Sequence, residues 1–357
     1  MVNPPLLFVS ALFFLGINAL LYSGAWILVK TLLRILPHLS PHRTKGLLTA
    51  ALLLPPIISC AVTAGGAFLR HSHAPGAVHH NVYCENLAQY LALPEGNLPA
   101  LLGLTIQGAA WLLLAWGVLT VCRLLHATIM LERGLSPYLH PPSEQLAAAV
   151  SSMRSKIDCS GLEFYEADVP MAFSCLIGIR RIRCVLSRQL VAATTRDELE
   201  AVVLHEASHF RAGDVWRTLV LGMLDCLFYL IPAVGLLSRR WREETELVCD
   251  AATTKATGEP LALASAILRA QGVPIQGPGL PTTTLAFTVE TAAAEARVER
   301  LLAYARGTAS AIDAPRMDSW QWVLASILFA IGLVSILSPE ALCISHCSLE
   351  AMSRVLH

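Results

Sequence analysis

The sequence predicts an α-helical integral membrane protein in which a mainly helical domain of α+β type is inserted between the third and fourth membrane spans. Hydrophobic residues make up 55% of the chain and charged residues only 15%, whereas about 25% of the residues of a typical soluble domain are charged. The segments 6–29, 47–69, 98–122 and 319–338 contain no Asp, Glu, Lys or Arg. Each is long enough to cross a hydrocarbon core of about 30 Å as a helix.

These segments divide the chain into four regions. Residues 1–125 contain three spans, residues 126–318 form the inserted domain, residues 319–338 form the fourth span, and residues 339–357 form a short tail. A cleaved signal peptide is the alternative for the first segment, but its apolar run is too long and no basic region precedes it. The pair Pro55-Pro56 predicts a kink in the second span.

The charges of the connecting loops predict the orientation of the spans. Residues 30–46 carry four basic residues and no acid, whereas residues 70–97 carry one basic residue and two acids. Because cytoplasmic loops carry the excess of Lys and Arg, the first loop is predicted in the cytoplasm and the second outside. Four spans then place both termini outside and the inserted domain in the cytoplasm.

The inserted domain contains both helical and strand periodicity. The pattern first predicts a surface helix at residues 143–157, a strand at 162–166 and a hairpin whose two strands are 172–178 and 183–187. A helix at 195–210 follows. A loop rich in Pro, Gly and Thr at 272–287 then leads to a last helix at 290–304.

The helix of residues 195–210 carries the motif His-Glu-x-x-His at His205, Glu206 and His209. On a helix the two histidines project from one face one turn apart, so both imidazoles can bind one Zn²⁺ ion. Glu206 lies beside them, where its carboxylate can act as a general base on a water molecule at the metal. The alternative is an amphipathic helix with two histidines on its polar face. A capping box of Thr195 and Glu198 favours the metal site, because it places the motif on a well-defined helix.

A catalytic zinc ion needs a third protein ligand and an open position. Downstream, Glu246 and Asp250 are four residues apart and share one face of a predicted helix that ends near Gly258. We interpret Glu246 as the third ligand and Asp250 as a carboxylate that orients a ligand histidine. The sequence therefore predicts one zinc ion per chain, bound by His205, His209 and Glu246.

The apolar run of residues 219–238, interrupted by Asp225 and Pro232, needs a separate interpretation. If this run crossed the bilayer as a fifth span, Glu246 would lie on the opposite side from His205, and the two could not bind one ion. The run is therefore predicted to be a helix that is buried in the domain, peripheral to the bilayer or re-entrant.

The predicted hairpin offers a place for a substrate. A peptide in extended form can add to a sheet edge through main-chain hydrogen bonds, and the strand that begins with Ala172, Phe173 and Ser174 is the candidate for that edge. The alternative is that the hairpin only supports the fold.

Other features have weaker implications. The outer loop contains several histidines and Cys84, which is typical either of a metal-sensing site or of a polar exposed loop.

The ten cysteines contain no C-x-x-C pair, which argues against a structural zinc knuckle. Cys84, Cys343 and Cys347 are predicted outside, where a disulfide is a possible outcome. The net charge is zero and no basic stripe is present, so direct binding of nucleic acid is not expected.

The order of these motifs resembles the membrane metallopeptidase family of the BlaR/MecR antibiotic-sensing transducers, over roughly residues 1–340. The zinc domain alone is also similar to the HtpX and CAAX-prenyl peptidases. The resemblance is carried by the segments 172–174 and 183–187, Glu198-Leu199 before the His-Glu-x-x-His motif, Asp214, and Glu246-x-x-x-Asp250.

The resemblance implies a gluzincin-type zinc peptidase domain in a bacterial inner membrane, which cleaves a cytoplasmic protein such as a transcriptional repressor. The chain stops at His357, so the penicillin-binding sensor domain of that family is not expected after the fourth span. The alternatives are a quality-control protease of membrane proteins and a signalling scaffold without activity. The sequence indicates neither the oligomeric state nor the stimulus.

Overall fold

Three long apolar helices open the structure, which is a computed structural model that describes residues 4–36, 39–72, 100–169, 172–272, 285–286 and 291–306. These helices are α1 (Pro4–Ile35), α2 (Pro41–Ser72) and α3 (Ala100–Leu135). Three stretches here are long and apolar enough to cross a membrane, namely Phe14–Ile35, Pro41–Val62 and Ala115–Tyr138. The first two predicted spans, 6–29 and 47–69, lie within α1 and α2, whereas the third, 98–122, overlaps the apolar stretch of α3 only at residues 115–122. The fourth predicted span, most of the histidine-rich loop, Cys84, Cys343 and Cys347 lie outside the described residues.

Helix α3 is longer than the third predicted span. The predicted span ends at residue 122, but the helix continues to Leu135 and is followed by a short 3-10 turn at Ser136–Tyr138. The reason is that no proline interrupts the chain between residue 100 and Pro137, where the missing amide hydrogen and the fixed φ end the helix. Helix α3 therefore reaches the first strand of the sheet without a flexible linker.

The inserted domain combines seven helices with one sheet in the part of the chain that the structure describes. The helices are α4 (Glu144–Lys156), α5 (Arg188–Ala193), α6 (Arg196–Ala212), α7 (Asp214–Leu227), α8 (Pro232–Thr257), α9 (Pro260–Gly272) and α10 (Thr291–Ala305). The strands are β1 (Leu139–His140), β2 (Glu163–Ala167), β3 (Ser174–Ile177), β4 (Arg183–Ser187) and β5 (Leu285–Ala286).

The sheet has the strand order β1-β2-β4-β3-β5. The predicted hairpin is present, because β3 and β4 are antiparallel neighbours, and β2 runs parallel to β4 on its other side. Strand β5 was not expected, since its residues belong to the segment that the pattern predicts as a loop. It pairs with Cys175 and Leu176 of β3, so part of the predicted substrate edge is covered.

Both faces of the sheet are buried. On one face Leu176, Cys184 and Leu186 join the main core, which also includes apolar residues of α4, α6 and α9. On the other face Cys175, Ile177 and Val185 form a second cluster with Leu135, and Leu131 and Leu139 pack against it. The end of α3 therefore forms a wall of the domain core.

Helix α6 is fixed at both ends. The Thr195 side chain accepts a hydrogen bond from the amide of Glu198, and Glu198 accepts one from the amide of Thr195 at 2.8 Å, which is the predicted capping box. The helix ends at Gly213, whose φ of 69° suits the left-handed C-cap. Arg269 of α9 also binds Glu198, at 3.0 Å. The His-Glu-x-x-His motif therefore lies on a rigid helix.

The apolar run of residues 219–238 is a helical hairpin and not one helix. Helix α7 ends at Leu227, Pro232 opens α8, and Asp225 accepts a hydrogen bond from Ser238 at 2.6 Å across the turn. Residues of this hairpin are buried in one cluster with residues of α1 and α2, including Tyr22, Leu48, Leu52, Phe228 and Trp241. The run therefore turns back on itself and packs against the first two long helices.

The turn between β3 and β4 supplies a test of the fold. Gly178 has φ of 101°, and a Cβ atom added there would lie 2.1 Å from the carbonyl oxygen of Arg181. Gly161 has a similar φ of 95° but no atom within 4 Å of the added Cβ. Both Gly→Ala variants carry backbone strain of about 1–2 kcal/mol. Gly178→Ala adds an overpacking cost of about 1–3 kcal/mol.

We therefore expect a larger fall in the thermal unfolding midpoint of the purified chain for Gly178→Ala than for Gly161→Ala. Equal midpoints for the two variants would contradict the tight turn described here.

Candidate metal centre

Helices α6 and α8 bring three potential metal ligands together. His205 and His209 lie one turn apart on α6, and Glu246 faces them from α8. Both imidazoles are buried, and the Glu246 side chain is 28% exposed. The three predicted ligands offer one nitrogen or oxygen atom each within 4.8 Å of one another, so the structure assembles the set that the sequence predicts.

The distances within this set suit a tetrahedral metal ion. The Nε2 atoms of His205 and His209 are 3.2 Å apart, and the Glu246 oxygens lie 3.4 Å and 3.5 Å from those two atoms. A tetrahedral ion with bonds of about 2.0–2.1 Å holds its ligand atoms about 3.3 Å apart. The shorter distance is to Oε2 and the longer to Oε1 of Glu246, so each nitrogen lies near a different carboxylate oxygen at about the separation that such an ion requires. The Arg297 guanidinium lies 3.5 Å from Nε2 of His205.

Two carboxylates face the far nitrogens of the two imidazoles. Asp250 Oδ1 lies 3.1 Å from Nδ1 of His205, and Asp214 Oδ2 lies 3.0 Å from Nδ1 of His209. A carboxylate at Nδ1 holds the proton there and leaves Nε2 free to bind a metal. Asp250 occupies the place that the sequence predicts, whereas sequence reasoning gave Asp214 no role.

Arg297 of α10 is a buried cation beside the ligands. Its guanidinium lies 2.6 Å from Asp250 and 2.9 Å from Glu246, and its side chain is only 2% exposed. Burial alone would raise the pKa values of these two carboxyls, but the charge of Arg297 lowers both below their usual range. Burial would likewise lower the pKa of His205, but contacts with Asp250 and Glu246 raise it to about 9.

Lys45 of α2 supplies the second buried cation. Its Nζ lies 2.6 Å from Oδ1 of Asp214, and the side chains of the pair are 8% and 0% exposed. Burial would raise the pKa of Asp214, but the hydrogen bond with His209 and the charge of Lys45 hold it below its usual value. A residue of the second long helix is thus one carboxylate away from a predicted metal ligand.

The formal charges of the site also suit a divalent ion. Four carboxylates, those of Glu206, Asp214, Glu246 and Asp250, face two cationic side chains, Lys45 and Arg297. The imbalance is two negative charges when all four carboxylates are ionised, both histidines are neutral and the half-exposed Arg217, 3.5 Å from Asp214, is left out. Unbalanced buried charge is costly, so a divalent cation among these groups would stabilise them.

Glu206 is buried beside the ligands and hydrogen-bonds to only one group in the described structure. Its Oε1 accepts a hydrogen bond of 2.6 Å from the hydroxyl of Ser174. Its Oε2 is buried without a hydrogen-bond partner among the residues that the structure describes. Burial raises the pKa of Glu206, and the two imidazoles and the Ser174 hydroxyl partly oppose this effect. This arrangement leaves one carboxylate oxygen available for a proton.

Of the three residues predicted at the substrate edge, Ser174 contacts the site through Glu206. Ala172 and Phe173 precede β3 and are buried. The amide of Phe173 donates to the Ser187 hydroxyl at 3.0 Å, and its carbonyl accepts from the Ser187 amide at 2.9 Å. The main chain of Phe173 is therefore already bonded within the sheet.

A second group of potential ligands shares His209. It contains Asp214 and Cys249, and the Cys249 sulfur lies 3.3 Å from Nδ1 of His209. Burial and the nearby carboxylates, Asp214 foremost, raise the pKa of Cys249 well above its usual value, so without a metal ion the thiol is protonated. Asp214 is also bound to Lys45. The group with Glu246 is therefore the better site.

Sequence reasoning missed Arg297, Lys45 and the role of Asp214. Arg297 lies in a helix that also contains Glu295, Glu299 and Arg300, and no local signal separates it from these neighbours. In the sequence, Lys45 belongs to a basic loop that is predicted in the cytoplasm, and this location already accounts for its positive charge. The sequence offers one indirect signal for these two cations. More carboxylates than cationic side chains are predicted near the metal ligands, and buried carboxylates require cations that come from elsewhere in the chain.

A family model described as BlaR1 peptidase M56 matches residues 95–298 of the chain. Among curated proteins, the chain is similar to the plastoglobule-localized metallopeptidase 48, chloroplastic, of Arabidopsis thaliana. The two are 28% identical over 125 residues, which are 32% of this chain and 36% of that protein. The chain is also similar to the methicillin resistance mecR1 protein of Staphylococcus aureus, with 25% identity over 114 residues, or 30% of this chain and 20% of that protein. The matches thus span about a third and a fifth of these relatives.

The ligand set predicts how metal content responds to substitution. We expect one divalent metal ion per chain, and we expect His209→Ala to remove most of it, because two remaining ligands cannot hold the ion tightly. Glu246→Ala should lower the metal content as well. The measurement is elemental analysis of the purified protein, with His140→Ala, a change at an exposed histidine, as the control. Full metal occupancy in Glu246→Ala would contradict its assignment as the third ligand.

Proposed function

Because the chain belongs to the BlaR1 peptidase M56 family, we propose that it is a membrane-embedded zinc endopeptidase that hydrolyses a cytoplasmic protein in regulated proteolysis. Membership makes the chain a membrane metallopeptidase. The proposal adds the metal, the cleavage of internal peptide bonds and a regulatory substrate, such as a transcriptional repressor.

The observation that carries the proposal is the buried set of His205, His209 and Glu246 beside Glu206. Two imidazole nitrogens and one carboxylate oxygen are the usual protein ligands of a catalytic zinc ion. Their separations of 3.2–3.5 Å support the same choice. The domain proposed here is of the gluzincin type, and one zinc ion is proposed per chain.

The described side chains support a division of roles in peptide hydrolysis. A zinc ion in the site supplies Lewis-acid polarisation of the scissile carbonyl. Glu206 accepts a proton from the attacking water at Oε2 and later donates it to the leaving amine. The Ser174 hydroxyl holds Oε1 at 2.6 Å, so the carboxylate cannot rotate away. The raised pKa of Glu206 helps its carboxylate to take the proton from water and to hold it until the leaving amine accepts it.

The remaining charged groups keep the ligands in place. Asp250 and Asp214 hold the two imidazoles with their Nε2 atoms toward the metal. Arg297 of α10 contacts both Asp250 and Glu246, which lie one turn apart on α8, and thereby holds the third proposed ligand beside the carboxylate that orients His205. Burial of these groups excludes bulk water, which strengthens the electrostatic interactions among them.

A cleft beside β3 favours a second candidate function, the degradation of membrane proteins. Its lining includes Leu131 of α3, Leu176 and Ile177 of β3, and Val215 and Trp216 of α7. This mostly apolar surface lies between the third long helix and β3, whose main chain is paired with β4 and β5. An apolar side chain of a substrate in or near the bilayer would fit such a lining.

The proposed location is the inner membrane of a bacterium, with the peptidase domain in the cytoplasm and both termini outside. The basic loop between α1 and α2 supports this orientation. The helical hairpin of α7 and α8 supports it as well, because a chain that turns back at residues 228–231 keeps Glu246 on the side of His205.

Replacing Glu206 by Gln tests the catalytic assignment. The variant should keep its metal, because the ligands are unchanged, while cleavage should fall by at least about 10²- to 10⁴-fold, the usual contribution of a general base. Substrate fragments compared between cells carrying the native chain and the variant measure this loss. Glu200→Gln on the same helix, whose side chain pairs with Lys156, is the matched control.

The same comparison separates the two candidate functions. Fragments of a soluble repressor that disappear in the variant support regulated proteolysis, and fragments of membrane proteins support quality control. Cleavage that persists in Glu206→Gln would reject the enzymatic mechanism.

The topology is tested with a reporter that is active only outside the cytoplasm. Fusions after residue 85 and at the C-terminus should give signal, and fusions after residues 160 and 256 should give none. The reason is that α7 and α8 return to the side from which the hairpin starts. Signal at residue 256 would mean that the run of residues 219–238 crosses the membrane, and the proposed metal site would then be wrong.

A further inference from the structure

A buried charge pair joins the second long helix to the metal centre. We propose that Lys45 of α2 is a positioning residue for the metal ligand His209 and acts through Asp214, so that the second span helps to set the geometry of the metal site. The inference deepens the proposed function and rests on it, because it requires that His209 binds zinc.

The three groups form a continuous chain of short contacts. The Lys45 ammonium lies 2.6 Å from Oδ1 of Asp214, and the other oxygen of the same carboxylate lies 3.0 Å from Nδ1 of His209. All three side chains are less than a tenth exposed. Water therefore has little access to replace either contact.

The chemistry of this chain fixes the orientation of the imidazole. Asp214 accepts the Nδ1–H of His209, which leaves the lone pair of Nε2 directed at the metal. A carboxylate held through one oxygen alone can still rotate about its Cβ–Cγ bond. The ammonium of Lys45 binds the other oxygen and thereby fixes the plane of the carboxylate. The direction of the His209 ring thus depends on where α2 holds its ammonium.

The position of the ammonium is itself well defined. It lies 5.3 Å from the ring centroid of Trp241, within the distance at which a cation interacts with an aromatic face. Trp241 belongs to α8, the helix that also carries Glu246 and Asp250. Lys45 therefore contacts both elements that bear the outer carboxylates and the third ligand.

Attachment of α2 to the domain does not require this pair. Leu48 and Leu52 of α2 pack in the cluster that contains Trp241, and the Thr49 hydroxyl accepts a hydrogen bond of 2.9 Å from the Trp241 indole. A buried ion pair is a weak source of stability, because desolvation of the two charges offsets their attraction. The Lys45–Asp214 pair is therefore better explained by the orientation of His209 than by the attachment of α2 to the domain.

A second cation near Asp214 does not take the place of Lys45. Arg217 lies 3.5 Å from the same oxygen, but its side chain is half exposed. Its interaction is longer and is screened by water. Arg217 also lies one turn from Asp214 on the same helix, α7. Its contact with Asp214 therefore does not depend on the position of α2.

The test compares two substitutions one turn apart on α2 in the full-length protein in lipid nanodiscs. Lys45→Met removes the charge and keeps the length of the side chain. Thr49→Val keeps the volume and removes two hydrogen bonds, the one accepted from the Trp241 indole and the one donated to the Lys45 carbonyl. The readouts are the zinc dissociation constant, from competition with a chelator, and the visible absorption spectrum of the cobalt-substituted protein. Peptide cleavage is followed in parallel.

Lys45→Met should weaken zinc binding 10- to 100-fold, the usual effect of losing a group that orients a ligand, and should change the cobalt spectrum. Thr49→Val should bind zinc within twofold of the native chain with an unchanged spectrum. Lys45→Arg keeps the charge and should recover most of the affinity. Native affinity and spectrum in Lys45→Met, or equal losses in Thr49→Val, would overturn the inference.

A double-mutant cycle with Asp214→Asn covers the case in which Lys45→Met fails to fold. The pair Lys45→Met with Asp214→Asn carries no unpaired buried charge, and its zinc affinity should equal that of Asp214→Asn alone, because the route from Lys45 to His209 is already broken. A further loss in the double variant would overturn the inference. If the native chain itself bound no zinc, the proposed function would fail together with the inference. If Lys45→Met bound zinc with the affinity and spectrum of the native chain, only the role of Lys45 would be rejected.

Discussion

The burial of like charges in a small volume is the constraint on which the rest of the structure depends. Four carboxylates surround two imidazoles, and the compensating cations, Lys45 and Arg297, come from the second long helix and from the last described helix. Such groups are tolerated away from water only when they are paired and hydrogen-bonded. The site is therefore complete only when α2, α6, α7, α8 and α10 have all been brought together, which couples the chemistry to the whole architecture.

The helical hairpin is the element that connects the polar site to the long apolar helices. Helix α7 has 14 residues and is about 21 Å long, which is shorter than the hydrocarbon core of about 30 Å. The break before Pro232 returns the chain, and the apolar sides of the hairpin pack against Tyr22, Leu48 and Leu52. The part of α8 that follows this packing carries Glu246 and Asp250. The same helix thus contacts the long apolar helices with one end and the metal centre with the other.

Local spacing in the sequence predicted much of the site, and long-range pairing accounts for most of what it missed. His205 and His209, like Glu246 and Asp250, are each four residues apart, and helical periodicity alone places each pair on one face. The capping box and the hairpin turn are equally local. In contrast, Lys45 pairs with a residue 169 positions away and Arg297 with one 47 positions away. Strand β5 has only two residues, too few for any periodicity to be recognised.

The contribution of α3 to the second face of the sheet has a consequence for the order of assembly during synthesis. Leu131 and Leu135 cover Ile177 and Val185, so the sheet lacks one wall until the third long helix is in place. A chain that emerges from its N-terminus makes that helix before any strand of the sheet. The helix that covers this face is therefore synthesised before the strands can pair, and a chain in which α3 is displaced would leave Ile177 and Val185 without their apolar cover.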